Sequence, residues 1–218
     1  MKKVLIINNA LNADDMEYYY NEYHKRMMSV PLHVLVEVEK LGDYETRMVF
    51  HSDSIDKAIE DYNADYVIAC GRYSDWKFGY NNMEIEFANE YKLFLETSVP
   101  TMGICAGHQI CALAYKGQIG KMGDTEKVYS ELGFKKIKIC KQDPIFKNVS
   151  DGSEFLMLHR DEVKVLPEEF DILASSQMCQ IQAIKHKNKP IYGFQFHPEL
   201  YSDECYAGHQ ILKNFLSL

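Results

Sequence analysis

Short, uninterrupted apolar runs set the limits on what this chain can fold into. "KKVLIINN" (Lys2–Asn9), "DYVIACG" (Asp65–Gly71) and "PTMGI" (Pro100–Ile104) lack the every-other-residue polarity of a half-solvated strand. Each therefore reads as a strand covered on both faces. Helical patterns separate them. "SIDKAIEDYNA" puts Ile55, Ala58, Ile59 and Tyr62 on one face, with Ser54 as its N-cap. "NNMEIEFANEYKLFLETS" reads as one long helix stopped before Pro100, and "CAGHQICALAYKG" as a helix closed by Gly117. "ADDMEYYYNEYHKRM" is expected to be helical, its tyrosines (Tyr18, Tyr19, Tyr20 and Tyr23, with Tyr44 further on) half-covering the sheet, and "HVLVEVEK" (His33–Lys40) reads as a strand.

Alternating strand and helix argue for an α/β fold with a mostly parallel central sheet flanked by helices. The second half is strand-rich: "KKIKICK", "EFLMLH", "DILASS", "QIQAIKH" and "PIYGFQFHP", with a hairpin turning at Lys187 to Pro190. That half predicts a smaller antiparallel portion, closed by a C-terminal amphipathic helix capped by Ser202 or Asp203. At 218 residues, without a linker or internal repeat, residues 1–218 are expected to form a single domain.

Charge and cysteine usage exclude several function classes. A net charge of −8 argues against a nucleic-acid surface, which needs clustered Lys and Arg. The opening apolar run is too short for a secretory signal, and no stretch is long and apolar enough to span a membrane. Cys70, Cys105, Cys111, Cys140, Cys179 and Cys205 form no C-x-x-C pair and read as reduced thiols of a cytoplasmic protein. Cys105, His108 and Cys111 come nearest to a metal set, but no fourth ligand lies nearby, so no metal site is expected, and the thiol chemistry described next requires no organic cofactor.

"MGICAGHQI" (Met102–Ile110) carries the chemistry. Cys105 stands between a strand end and a helix start, with Gly103 and Gly107 two residues to either side. Small residues at those positions permit the tight turn of a nucleophile elbow, and the first N–H groups of the helix offer an oxyanion site. A buried structural cysteine is the competing reading. A thiol nucleophile needs a histidine and a group to orient it. "YGFQFHPEL" supplies both, because Pro198 keeps His197 out of helix and extended backbone puts Glu199 on the same face.

"GICAGHQ" and "YGFQFHPE" resemble the two signature motifs of class I (triad-type) glutamine amidotransferases. The intervening "ELGFKKIKI", "DPIFKNV" and "HRDEVKVLPEEFDILASS" are most similar to the glutaminase domain or subunit of GMP synthases. The resemblance spans Tyr66 to about Glu199 and fades before Tyr66 beyond the opening strand. It implies that Cys105 attacks the glutamine side-chain amide to form a γ-glutamyl thioester, with His197 moving the proton and Glu199 orienting it. It places oxyanion donors at Ala106 and Gly71, although Cys70 and Arg72 replace the flanking glycine and proline of the family's Gly-Gly-Pro turn. Gln109, His159 and Asp161 match positions around bound glutamine. The implied partner is a synthetase of the ATP-pyrophosphatase type, since no such domain follows Leu218. A stand-alone γ-glutamyl hydrolase or peptidase, towards which the altered "CGRYSD" turn leans, and a non-catalytic binding module are the other two readings.

Overall fold

In the computed structural model, residues 1–10, 22–72, 76, 80, 82–123 and 129–218 are described, the side chains of 22–27 excepted. An eight-stranded sheet runs through the protein, its strands lying side by side in the order Tyr44–Phe50, Lys2–Asn8, Tyr66–Ala69, Thr101–Ile104, Ile191–Phe194, Ala183–His186, Phe170–Ser175 and Lys138–Ile139. Its parallel half is built from β1 (Lys2–Asn8), β2 (Tyr44–Phe50), β3 (Tyr66–Ala69), β4 (Thr101–Ile104) and β12 (Ile191–Phe194). Its antiparallel half is β12 with β11 (Ala183–His186), β10 (Phe170–Ser175) and β7 (Lys138–Ile139). Among the described residues, two antiparallel pairs lie outside the sheet. β5 (Gln118–Lys121) joins β9 (Asp161–Val165), and β6 (Glu131–Lys136) joins β8 (Glu154–His159).

The uninterrupted apolar runs do become the doubly covered strands. On β1, Val4 and Ile6 feed one core, with Ile68, Met102 and Ile104. Leu5 and Ile7 feed the opposite core, with Val67, Ala69 and Ile110. The helices α1 (Glu22–Lys40), α2 (Ile55–Tyr62), α3 (Met83–Glu86), α4 (Ala88–Glu96), α5 (Ala106–Ala114) and α6 (Ala207–Phe215) cover both faces. No helix among the described residues is long and apolar enough to cross a membrane.

Four local expectations are corrected. "HVLVEVEK" is the end of α1 and not a strand. Its alternation over so few residues conceals a four-residue repeat, Val30, Val34 and Val38, which is buried, while Leu32 and Val36 on the other side are exposed. Burial of that stripe outweighs the few tenths of a kcal/mol by which valine disfavours a helix. "NNMEIEFANEYKLFLETS" is kinked into α3 and α4 at Phe87 (φ −111°, ψ 30°), whose ring is wholly buried against Trp76 and His51. After α5 the left-handed residue is Lys116 (φ 66°), not Gly117. Gly117 is required for another reason: a Cβ there would lie 2.7 Å from Ala112 O and 2.8 Å from Val165 O. Finally, α6 begins after Tyr206. Ser202 instead closes the preceding turn, its Oγ accepting from Cys205 N at 3.1 Å.

Ser54 does occupy the N-cap position of α2, without a side-chain hydrogen bond, and the hairpin from β11 to β12 turns over Lys187 to Pro190. Tyr18, Tyr19, Tyr20 and the side chain of Tyr23 lie outside the described residues. Tyr44 is half-buried on β2 and donates its hydroxyl to Leu216 O at 3.1 Å.

Candidate active site

The site forms where the parallel strands end. Cys105 follows β4 with φ 49° and ψ −97°, a conformation strained for any residue with a Cβ. Two close approaches enforce it. A Cβ on Gly103 would stand 2.5 Å from Gly107 C, and one on Gly107 would stand 2.3 Å from Ala69 O. Helix α5 therefore packs against the ends of β3 and β4 only because both positions are glycine. The Cys105 N–H is donated to Phe194 O at 2.7 Å, and Cys105 O accepts from Gln109 N at 3.1 Å. The thiol is thus held at the helix N-terminus, beside β12.

β12 delivers the histidine. β4 and β12 pair in parallel, Ile104 opposite Phe194, so the chain that leaves β12 passes the Cys105 turn. His197 is pinned by its own N–H, donated to Leu156 O at 2.9 Å on β8. From behind, α6 leans on the same segment; a Cβ on Gly208 would lie 2.4 Å from Pro198 O. His197 Nδ1 stands 2.7 Å from Glu199 Oε1. Both side chains are buried. Burial alone would lower the His197 pKa, but the Glu199 carboxylate and the hydrogen-bonded Cys105 sulfur outweigh it and hold it well above the usual imidazole range. Paired with Glu199, His197 therefore favours its imidazolium form.

Gly71 closes the group. A Cβ there would meet His197 Cε1 at 2.9 Å and Cys105 Cβ at 3.4 Å, so glycine lets the loop after β3 touch both. Ala106, the first residue of α5, lies on the other side of Cys105. All five residues expected to carry the chemistry are therefore together.

A cavity of about 280 Å³ opens over Cys105 and Ala106. Arg72, Trp76, Gln109, Leu132, Leu158, His159, Arg160 and Asp161 complete its lining. Gln109 does not face solvent. It is buried, and its Nε2 donates to Asp161 O at 3.0 Å and to Gln195 Oε1 at 2.9 Å. His159 contacts Asp161 O through Nδ1 at 3.1 Å and Glu131 Oε2 through Nε2 at 3.0 Å. The Asp161 carboxylate accepts from Tyr80 at 2.5 Å and pairs with Lys121 at 3.3 Å. His108, by contrast, packs in the core against Gly193, and burial pushes its pKa down to about 3. Among the described residues no cluster of His, Cys, Asp and Glu could hold a metal ion.

Some residues of the site escape a reading of the sequence. Gln195, whose Nε2 lies 3.6 Å from Cys105 Sγ, is two residues before His197; the strand periodicity that links His197 to Glu199 points to it as well. Glu131 carries no signal. Its carboxylate is buried and accepts from Ser176 Oγ at 2.7 Å, Gln182 Nε2 at 2.7 Å and His159. Burial pushes its pKa up, but these donors outweigh it and leave it below the usual value. Arg72 stacks on Trp76, 4.8 Å from the ring centre, a contact that only the folded loop brings about.

The chain is 47% identical over 121 residues to a subunit of the GMP synthase (glutamine-hydrolyzing) of Methanocaldococcus jannaschii, covering 56% of this chain and 61% of that one. The aligned part thus spans less than two thirds of that relative. A longer alignment, 33% identical over 183 residues, reaches the protein of the same description from Methanosphaera stadtmanae and covers 84% of this chain and 89% of that one. A crystal structure from Thermoplasma acidophilum, described as that of a candidate GMP synthase subunit, superposes with TM-score 0.72 at 25% identity, over 100% of this chain and 93% of that one. A glutamine amidotransferase from Thermotoga maritima shares the fold, with TM-score 0.69 at 18% identity over 99% and 96% of the two chains. The sequence model described as "Glutamine amidotransferase class-I" matches residues 32–218, and the chain belongs to that family.

Proposed function

We propose that this chain is the glutaminase component of an amidotransferase, releasing ammonia from L-glutamine for a separate synthetase of the ATP-pyrophosphatase type. The observation that carries this reading is the Cys105 elbow, which opens on a cavity of amino-acid size and stands beside the His197–Glu199 pair. Arg72 and Arg160 bring positive charge to that cavity in an acidic protein, which suits the α-carboxylate of glutamine. Gln109, His159 and Asp161 orient the rest of the amino acid.

The Cys105 thiolate attacks the side-chain carbonyl carbon, and the carbonyl oxygen takes up negative charge against the N–H groups of Gly71 and Ala106. The His197 imidazolium, held by Glu199, gives its proton to the amide nitrogen. The C–N bond then breaks, releasing ammonia and leaving a γ-glutamyl thioester. Water attacks the thioester, His197 accepts its proton, and glutamate departs as the thiolate is regenerated. The homology to GMP synthase subunits points to a synthetase acting on a purine nucleotide as the recipient of the ammonia.

The test is ammonia release from L-glutamine by the purified chain, with a γ-glutamyl alkylamine in parallel and Cys105→Ser as control. Glutamine turnover that disappears in the variant is expected. Preferential cleavage of the alkylamine would make the chain a stand-alone γ-glutamyl hydrolase, and turnover undiminished in Cys105→Ser would refute the nucleophile.

A further inference from the structure

Asn9 follows β1 directly and its side chain is completely buried. Its Nδ2 donates to Cys70 O at 2.8 Å and to Glu90 Oε2 on α4 at 3.2 Å. A backbone carbonyl can only accept, so the contact with Cys70 O fixes which way the Asn9 amide points. The Cys70 oxygen belongs to the same peptide plane as the Gly71 N–H. In a planar trans peptide the two point in opposite directions, so anchoring the oxygen at Asn9 turns the Gly71 N–H away from Asn9. The Cys70 N–H is itself donated to Ile7 O at 3.1 Å. The stretch from Ile7 to Asn9 thus grips the backbone on both sides of the Cys70 Cα, one residue before Gly71 meets Cys105 and His197.

Glu90 backs this contact. It has no surface exposure, and burial pushes its pKa up to about 8 against the opposing pull of Asn9 and Arg72. It therefore carries its proton at neutral pH, and no full negative charge stands behind the peptide that faces the oxyanion.

We propose that Asn9 is a positioning residue for the reaction: by holding Cys70 O it aims the Gly71 N–H at the oxyanion. The inference rests on the glutaminase reading, with Gly71 as an oxyanion donor. Removing such a donor outright costs about 10²–10³ in turnover, so misdirecting this one is expected to cost about 10- to 100-fold.

Asn9→Ala removes the clamp, and Asn9→Leu fills the same space without a donor. Each is measured with L-glutamine, with L-glutamate as a ground-state ligand, and with L-glutamate γ-semialdehyde. The Cys105 thiol adds across the aldehyde C=O of the semialdehyde, forming a hemithioacetal whose oxygen takes the oxyanion position. Rates are normalised to the folded fraction, read for each variant from its urea-unfolding transition under the assay conditions. The expected result is a fall in kcat and an equal loss of semialdehyde affinity, with KM and L-glutamate affinity unchanged. A mere loss of stability would not move the two affinities apart. Variants with wild-type kcat and semialdehyde affinity would overturn the role of Asn9, as would a fall in kcat with semialdehyde affinity retained. A wild-type protein that neither releases ammonia nor binds the semialdehyde would overturn the glutaminase reading instead.

Discussion

Glu90 offers a test of the buried electrostatics that needs no substrate. Its Oε2 accepts from Asn9, its Oε1 has no hydrogen-bond partner among the described residues, and its pKa rises from an ordinary 4.5 to about 8, chiefly through burial. The folded protein then holds a proton on Glu90 across a range in which the unfolded chain has released it. Where the folded state binds more protons, stability falls as pH rises. The loss begins near the unfolded value of 4.5 and is complete once pH has passed about 8. At about 1.4 kcal/mol for each tenfold change in proton affinity, the full effect is on the order of 5 kcal/mol.

Glu90→Gln keeps an acceptor for Asn9 and cannot ionise. In urea unfolding from about pH 5 to about pH 9, the variant should begin close to wild type and become progressively more stable than it, by as much as that amount. Every other titrating group is common to both proteins, so the difference isolates Glu90. A stability difference that stays constant with pH, or shrinks as pH rises, would refute a buried neutral carboxyl at this position.

Two further outcomes follow from the packing. Gly107→Ala drives a Cβ to 2.3 Å from Ala69 O, which is backbone and cannot swing aside. It should lower stability by roughly 2–4 kcal/mol and abolish thioester formation, and wild-type unfolding midpoints with normal turnover would contradict the close-packed elbow. Glu131→Ala leaves His159, Ser176 and Gln182 without their shared buried acceptor. A loss of roughly 2–4 kcal/mol is expected, with a raised KM for glutamine because His159 lines the cavity; an unchanged KM would detach this network from substrate binding.

The parts of the fold that are legible in the sequence are those that a single physical pattern determines. Val4–Ile7 and Tyr66–Ala69 read as strands covered on both sides, because no exposed face tolerates so continuous an apolar run and each run is too short for a helix. The elbow is legible because Gly103 and Gly107 each exclude a side chain at a backbone contact, and glycines spaced around a cysteine announce that requirement. The end of α1 mimics a strand because two periodicities coincide over a few residues, and only the sheet beneath it selects one of them. Glu131, Asn9 and Glu90 are invisible for a different reason. Their partners lie far away in the chain, and a polar residue beside an apolar run gives no sign of whether it will meet water or another element.

The insertion of β12 between β4 and β11 bears on how the protein comes into being. Cys105 is synthesised early, and the close contacts of Gly103 and Gly107 beside β3 involve residues already made, but the acceptor of its own N–H, Phe194 O, comes only with β12. His197 and Glu199 come at the end of the last strand to enter the sheet, flanked by neighbours that have been waiting for it. Until that long-range pairing closes, a growing or truncated chain carries Cys105 without the imidazole that stands beside it in the finished fold. The meeting of Cys105 with His197 and Glu199 is in this sense a report on completed folding. A ribosome-bound or proteolytically clipped fragment lacking β12 would leave Cys105 without both its backbone acceptor at Phe194 and its neighbouring histidine.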